Sequence, residues 1–292
     1  MMQNEIKIGI NHDEKLLIVD GSNLLFQMFF GMPSRIVNKN GKAIQGILGF
    51  IGALIRIIKM TCPTHIVILF DGEHKNGRTE LFADYKKNRT DYSKVPDENN
   101  PFSQLKDIYD ALDFLGVKRV EIAELEADDV VSSYALKYGK DMGIIVSSFD
   151  SDFFQLINEN VSVLRYRGKN TVLCDAAYIR GKYGISPNRY ADFKALTGDY
   201  SDNIKGAEKI GPKTAAVLIN RFGNLHDIII NAEKLAKPSI RESILRNAER
   251  LYGNYKLIKL DCKAKIPFDI CELSYSYRGI TTNEVLAGIG LI

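Results

Sequence analysis

The 292-residue chain has no tryptophan, four cysteines, four histidines and eight prolines. The cysteines, Cys62, Cys174, Cys262 and Cys271, form no C-x-x-C pair, which excludes the usual zinc spacing and gives no disulfide framework. Free thiols in a reducing cytoplasm are the expectation. His12, His65, His74 and His226 show neither ligand spacing nor a nearby Ser or Cys elbow, so no chemistry falls to them. The chain also lacks a G-x-x-x-x-G-K-[ST] run, which argues against an ATP-driven mechanism. Long hydrophobic runs are missing too. The most apolar stretch, Gly46 to Ile55, is bounded by Gln45 and Arg56, well short of the roughly 20 residues a membrane span needs. It reads as a buried helix, and its Gly46, Gly49 and Gly52 at helical spacing suggest close helix packing. The N-terminus is polar rather than basic-then-apolar, so no secretion signal is read. There is no repeat or low-complexity tract.

With 45% hydrophobic and 26% charged residues, the chain can bury a core in one or two domains. Short β-branched runs alternate with amphipathic stretches through the first 175 residues, which predicts a mostly parallel sheet flanked by helices. Strands are expected at 16–19, 65–70, 117–122, 144–147, 161–164 and 171–174. Helices are expected at 45–59, after an Asn40-Gly41 turn, and at 104–115 and 127–138. Beyond Pro187 the pattern becomes helical only, with glycine turns at Gly206, Gly211 and Gly223, and a domain change is placed near 185. The stretches 72–103 and 198–213 read as long loops of the kind that carry function.

In an open parallel sheet, ligands sit beyond the carboxyl ends of the strands, and that is where the acids gather. Asp20 and Asp71 end strands, Asp150 and Asp152 follow another, and Glu126, Asp128 and Asp129 open a helix after a fourth. Asp199 and Asp202, in TGDYSDN, begin the helical part. Taken singly, such residues are usually caps or turn formers. Jointly they are like charges at one edge, which repel unless a cation sits among them. Oxygen donors without His or Cys point to Mg²⁺ or Mn²⁺, and the set suits phosphoryl transfer with two ions about 3.5–4 Å apart.

Charge distribution supports a polyanionic partner. The net charge is only +3, but outside those nine acids 39 basic residues face 27 acidic ones. Lys75, Arg78, Lys86, Lys87, Arg89 and Lys94 crowd the loop after Asp71, with Tyr85 and Tyr92 interleaved, as where bases stack beside phosphate contacts. A solvated loop is the plainer alternative. The run GAEKIGPKTA at 206–215 looks like a helix-hairpin-helix. Its turn offers backbone N–H groups to a phosphate, with Lys205, Lys209, Gly211, Lys213 and Thr214 around it.

From about Leu16 to at least Leu225, the motifs LLIVDGSNLLF, VILFDGE, DYKKNR, ELEADDVVSS, SSFDSDFFQL and TGDYSDNIKGAEKIGPKTA together resemble the 5′ nuclease family. That family includes flap endonucleases and the N-terminal 5′–3′ exonuclease domain of DNA polymerase I. The resemblance implies that Asp20, Asp71, Glu126, Asp128, Asp129, Asp150, Asp152, Asp199 and Asp202 are metal carboxylates for two or more Mg²⁺ or Mn²⁺ ions. It implies that Lys86 and Arg89 contact the scissile phosphate, with Tyr85 and Arg78 on the DNA. Residues from about 86 to 103 would form a helical arch that threads a single-stranded 5′ end. The hairpin would grip duplex DNA and hold K⁺. Two departures stand out: Gln27 follows Phe26 where relatives usually carry Arg, and Gly77 precedes Arg78 where an aromatic is common. Gln27 is expected to reach the substrate backbone as a neutral donor.

The expected protein is thus an α/β nuclease domain over 1–185 and a small helical DNA-binding domain with a tail over 186–292. It would be a cytoplasmic monomer, without membrane contact, that hydrolyses DNA near 5′ single-strand/duplex junctions. A junction-binding protein that has lost cleavage and a ribonuclease with an acidic metal site are the rivals. The tail beyond about 262 gives no reading except packing.

Overall fold

The computed structural model describes residues 12–72, 86–87, 90–123 and 125–292. At its centre is a six-stranded sheet of order β3-β2-β1-β4-β5-β6. The strands are β1 (Lys15–Asp20), β2 (His65–Asp71), β3 (Lys118–Ile122), β4 (Gly143–Ser147), β5 (Val161–Arg165) and β6 (Val172–Cys174). The first five are parallel, while β6 runs antiparallel to β5. A parallel return needs a crossover of a dozen or more residues, and the short 166–171 link permits only a reversal.

Alternation along β1 divides the interior. Leu16 and Ile18 point to one cluster with Val130, Val131 and Tyr134 of α4 (Ala127–Tyr138). Leu17 and Val19 point to the other, with α1 (Gly21–Gly31), α2 (Gln45–Thr61) and α3 (Leu105–Phe114). Both faces of β1 are covered, which is why it reads as an unbroken apolar run. The glycines of α2 serve close packing as expected: a Cβ at Gly46 or Gly49 would meet Phe29 or Met28 at 3.0 Å.

The later helices are α5 (Ala176–Tyr183), α6 (Tyr190–Thr197), α7 (Pro212–Phe222), α8 (Leu225–Ile230), α9 (Pro238–Ile258) and α10 (Thr282–Gly288). Leu196, Leu218, Ile244 and Leu251 join the α4-side core, so these helices share one interior with the sheet. The helix-only expectation beyond Pro187 fails at one place, where β7 (Gly198–Asp199) pairs antiparallel with β8 (Ile204–Lys205). Gly198 takes φ +82°, and a Cβ at Gly206 would lie 2.3 Å from the Thr197 carbonyl carbon, so this hairpin needs both glycines. The tail has a definite path. Tyr275 N–H donates to Thr64 C=O at 2.8 Å, and α10 buries Val285 and Leu286 among the side chains of the α2 face.

The stretch expected as a helical arch, 86–103, is described in part. Residues 92–104 carry three short 3₁₀ turns, with Pro96 and Pro101 interrupting any longer helix. Tyr92 and Phe102 set their edges against Phe26, at 5.1 and 5.4 Å between ring centres. Among the described residues no helix is long and apolar enough to cross a membrane.

Candidate metal centre

Parallel strand direction delivers the acids to one edge. Asp20 is both the last residue of β1 and the N-cap of α1: it accepts from Asn23 N–H at 2.9 Å and from the Ser148 hydroxyl at 2.8 Å. Asp71, the last residue of β2, accepts from Ala127 N–H at 3.1 Å, and its own N–H donates to Ser22 Oγ at 2.9 Å. Beyond β4, Ser148 Oγ accepts from Asp150 N–H at 2.9 Å, and Asp150 accepts from Asp152 N–H at 2.7 Å. Asp128 lies in the first turn of α4. Asp20, Asp71, Asp128 and Asp150 line one cavity of about 820 Å³, which Lys86 also lines, together with Phe26, Tyr92 and Phe102.

Electrostatics shows what this gathering costs. Burial, then the charges of Asp71 and Asp150, push the Asp20 carboxyl up to about 7. Burial, followed by Asp150, Asp71 and Asp20, raises Asp128 well above the ordinary carboxylate range, against the pull of Lys86. Carboxylates that resist ionising for want of a counter-charge, all hard oxygen donors, fit Mg²⁺ or Mn²⁺.

A second group lies beside the first. Asp152, Asp199 and Asp202 each bring one oxygen to within 4.8 Å of the others. Lys194 of α6, buried, forms ion pairs with both Asp152 and Asp199. Burial raises Asp152 to about 7 even though Lys194 pulls it down. For Asp199 burial is outweighed by Lys194 and by Ser201, whose N–H and hydroxyl both donate to it, so its carboxyl sits below the usual range. Sequence reasoning missed Lys194. Its signal was available: in YADFKALT the neighbours Phe193, Ala195 and Leu196 are all apolar, which leaves the lysine on a helix with little solvent face.

Other expected site residues are placed differently. Asp129 does not line the cavity with Asp128; its Oδ1 accepts from Asp261 N–H at 2.8 Å. Adjacent helical residues diverge by about 100°, and this contact of Asp129 ties α4 to the tail at Asp261. Glu126 is buried and accepts from Lys86 Nζ at 2.7 Å. The Lys86 N–H donates to Asp202 C=O at 3.2 Å, so its backbone is tied to the turn of the second acid group while the residue lines the cavity of the first. Gln27 donates to Tyr166 C=O at 2.6 Å rather than presenting its amide to a substrate backbone. Tyr85, Arg78 and Arg89, with Gly77, lie outside the described residues. In the 206–215 turn Lys209 has φ +63° and is exposed, Gly211 caps α7 with open space where a Cβ would go, Lys213 is exposed and Thr214 half-buried.

Known proteins share this architecture and much of the sequence. Residues 15–184 match the 5′-3′ exonuclease N-terminal resolvase-like domain, and residues 185–279 match the 5′-3′ exonuclease C-terminal SAM fold. A 5′-3′ exonuclease of Buchnera aphidicola is 35% identical over 271 residues, spanning 89% of this chain and 91% of that one. DNA polymerase I of Streptococcus pneumoniae is 33% identical over 270 residues, which make up 90% of this chain but 30% of the polymerase. In fold, the bacteriophage T5 flap endonuclease, solved with DNA and metal ions, superimposes with a TM-score of 0.70 at 24% identity, over 85% of this chain and 90% of that one. With both matched domains in order across residues 15–279, the chain belongs to the 5′-3′ exonuclease family.

Proposed function

We propose that the protein hydrolyses DNA phosphodiesters near the junction of a 5′ single strand with a duplex, as a 5′–3′ exonuclease and flap endonuclease using two Mg²⁺ or Mn²⁺ ions. One observation carries this reading: two groups of carboxylates meet at one sheet edge, and Lys86 lines the cavity of the first while its backbone N–H holds the Asp202 carbonyl of the second. Asp20, Asp71, Asp128 and Asp150 would hold one ion, and Asp152, Asp199 and Asp202 the other. When bound, such ions lower the pKa of the attacking water and neutralise charge on the phosphoryl oxygens. The chain's own groups prepare the site. Asn23, Ser148 and Ala127 fix the orientation of Asp20 and Asp71, and Lys194 offsets part of the charge of the second group. Lys86, held against Glu126, supplies a cation to the phosphoryl charge that develops in the transition state. Arg89, Arg78 and Tyr85 join the DNA contacts on the strength of the DYKKNR pattern.

The turn at 206–215 grips the duplex. Exposed Lys205, Lys209 and Lys213 surround the N-terminus of α7, whose free N–H groups suit a phosphate, and K⁺ in the same turn belongs to this reading. Residues 1–185 then carry most of the chemistry, and residues 186–292 bind the duplex and lend Lys194, Asp199 and Asp202 to the second acid group. A cytoplasmic location accords with its free cysteines, and action as a monomer belongs to the same reading. Product mapping on labelled 5′-flap DNA, beside an RNA flap, tests the reading. Cuts near the junction in Mg²⁺ and none in EDTA are expected. Binding without cutting would leave a junction-binding protein, and preference for the RNA flap would leave a ribonuclease.

A further inference from the structure

The turn joining β7 to β8 presents a solvent-exposed aromatic side chain. Tyr200, between Asp199 and Asp202, is 95% exposed, the most exposed large hydrophobic side chain among the described residues. A tyrosine brings 150–250 Å² of surface that folding normally buries. The backbone beneath this one is firmly held. Ser201 N–H and Oγ donate to Asp199 Oδ1 at 2.9 and 2.6 Å, and Asn203 N–H donates to Tyr200 C=O at 3.3 Å. Gly198 pairs with Lys205 and Asp199 with Ile204 on either side. Asp202 C=O accepts from the N–H of Lys86, whose ammonium reaches Glu126. The ring therefore projects from a fixed turn that also supplies two carboxylates of the second acid group.

We propose that Tyr200 is a substrate-positioning residue, a platform on which a nucleobase next to the reacting phosphodiester stacks. The inference rests on the reading that DNA is the substrate. Phosphate contacts fix a backbone but leave its bases free to turn, whereas an aromatic face orients a base of any sequence, since every base has a π-face. Placed beside Asp199 and Asp202, such a face would set the angle at which the phosphodiester meets the acids.

The test compares wild type, Tyr200→Ala and Tyr200→Phe for equilibrium binding of 5′-flap DNA in Ca²⁺ and, separately, for single-turnover cleavage in Mg²⁺. Base–aromatic stacking predicts that Tyr200→Ala weakens binding by about 5- to 150-fold, that Tyr200→Phe binds like wild type, and that thermal unfolding is the same for all three. An abasic site is then walked through the nucleotides flanking the scissile bond. At one position wild type and Tyr200→Ala should bind equally, because the base that stacks is gone. The proposal is overturned if Tyr200→Ala binds the intact flap as wild type does, if Phe fails to rescue, or if no abasic position closes the gap. Absence of wild-type cleavage would refute the hydrolytic reading instead, and the binding comparison would still decide the role of Tyr200.

Discussion

Replacing Asp20 by Asn probes the electrostatics of the site before any substrate is added. Asp20 is buried, and its carboxyl is pushed from 3.8 up to about 7, first by burial and then by Asp71 and Asp150. Between those two values the folded protein keeps a proton that the unfolded chain has released. A folded-state pKa raised in this way means that metal-free protein loses stability as pH rises across that window. Each unit is worth about 1.4 kcal/mol, so a shift of about three units corresponds to about 4 kcal/mol. Part of that repulsion is shared with Asp71 and Asp150. Asp20→Asn should therefore stabilise the metal-free protein by about 2–4 kcal/mol near pH 8, and by little near pH 4 where the acid is protonated in the folded state. The amide keeps an acceptor for Asn23 N–H and offers a donor to Ser148 Oγ. Urea unfolding of both proteins in EDTA at the two pH values measures the difference. Added Mg²⁺ should then stabilise wild type at the higher pH and the variant much less. A variant no more stable than wild type at the higher pH, or a gain of equal size at both, would refute the reasoning.

Two further outcomes follow from the geometry. Lys86→Ala should slow single-turnover cleavage by about 100- to 1,000-fold while binding changes less than about tenfold, because its charge acts chiefly on the transition state; equal losses in rate and affinity would make it an ordinary phosphate anchor. Gly211→Val should leave the unfolding midpoint nearly unchanged, since a Cβ there meets nothing within 4 Å. The same change should weaken binding to duplex-containing DNA by about tenfold, the side chain now standing where the phosphate approaches; unaltered affinity would remove the turn from the DNA interface.

Elements whose shape follows from local pattern were legible in the sequence. β1 and β2 end on Asp20 and Asp71 because each apolar run stops at an acid, and α4 spans the residues its periodicity indicates. What escaped depends on distant partners. The hairpin of β7 and β8 is two residues a side and exists because Gly198 and Gly206 let two backbones approach, which no periodicity signals. Asp128 and Asp129 are alike as letters, yet one faces the cavity and the other is taken by Asp261 N–H, a choice made by where the tail returns. Gln27 was legible as a departure, but its bond to Tyr166, 139 residues away, was not. Lys194 escaped because its engagement with Asp152 and Asp199 required the second acid group to be assembled first.

The central claim is that carboxylates gathered at the sheet edge hold the ions the reaction needs. Single-turnover cleavage of a labelled 5′ flap by wild type and Asp150→Asn, each stripped with EDTA and titrated back with Mg²⁺, tests it most directly. Asparagine preserves an acceptor for Asp152 N–H, so the turn beyond β4 should survive the change. Expected are no cleavage by either protein in EDTA, a saturable return of wild-type activity with Mg²⁺, and no return for Asp150→Asn although it still binds the flap. Wild-type turnover in EDTA, or an Asp150→Asn protein that recovers with Mg²⁺ as wild type does, would contradict the claim.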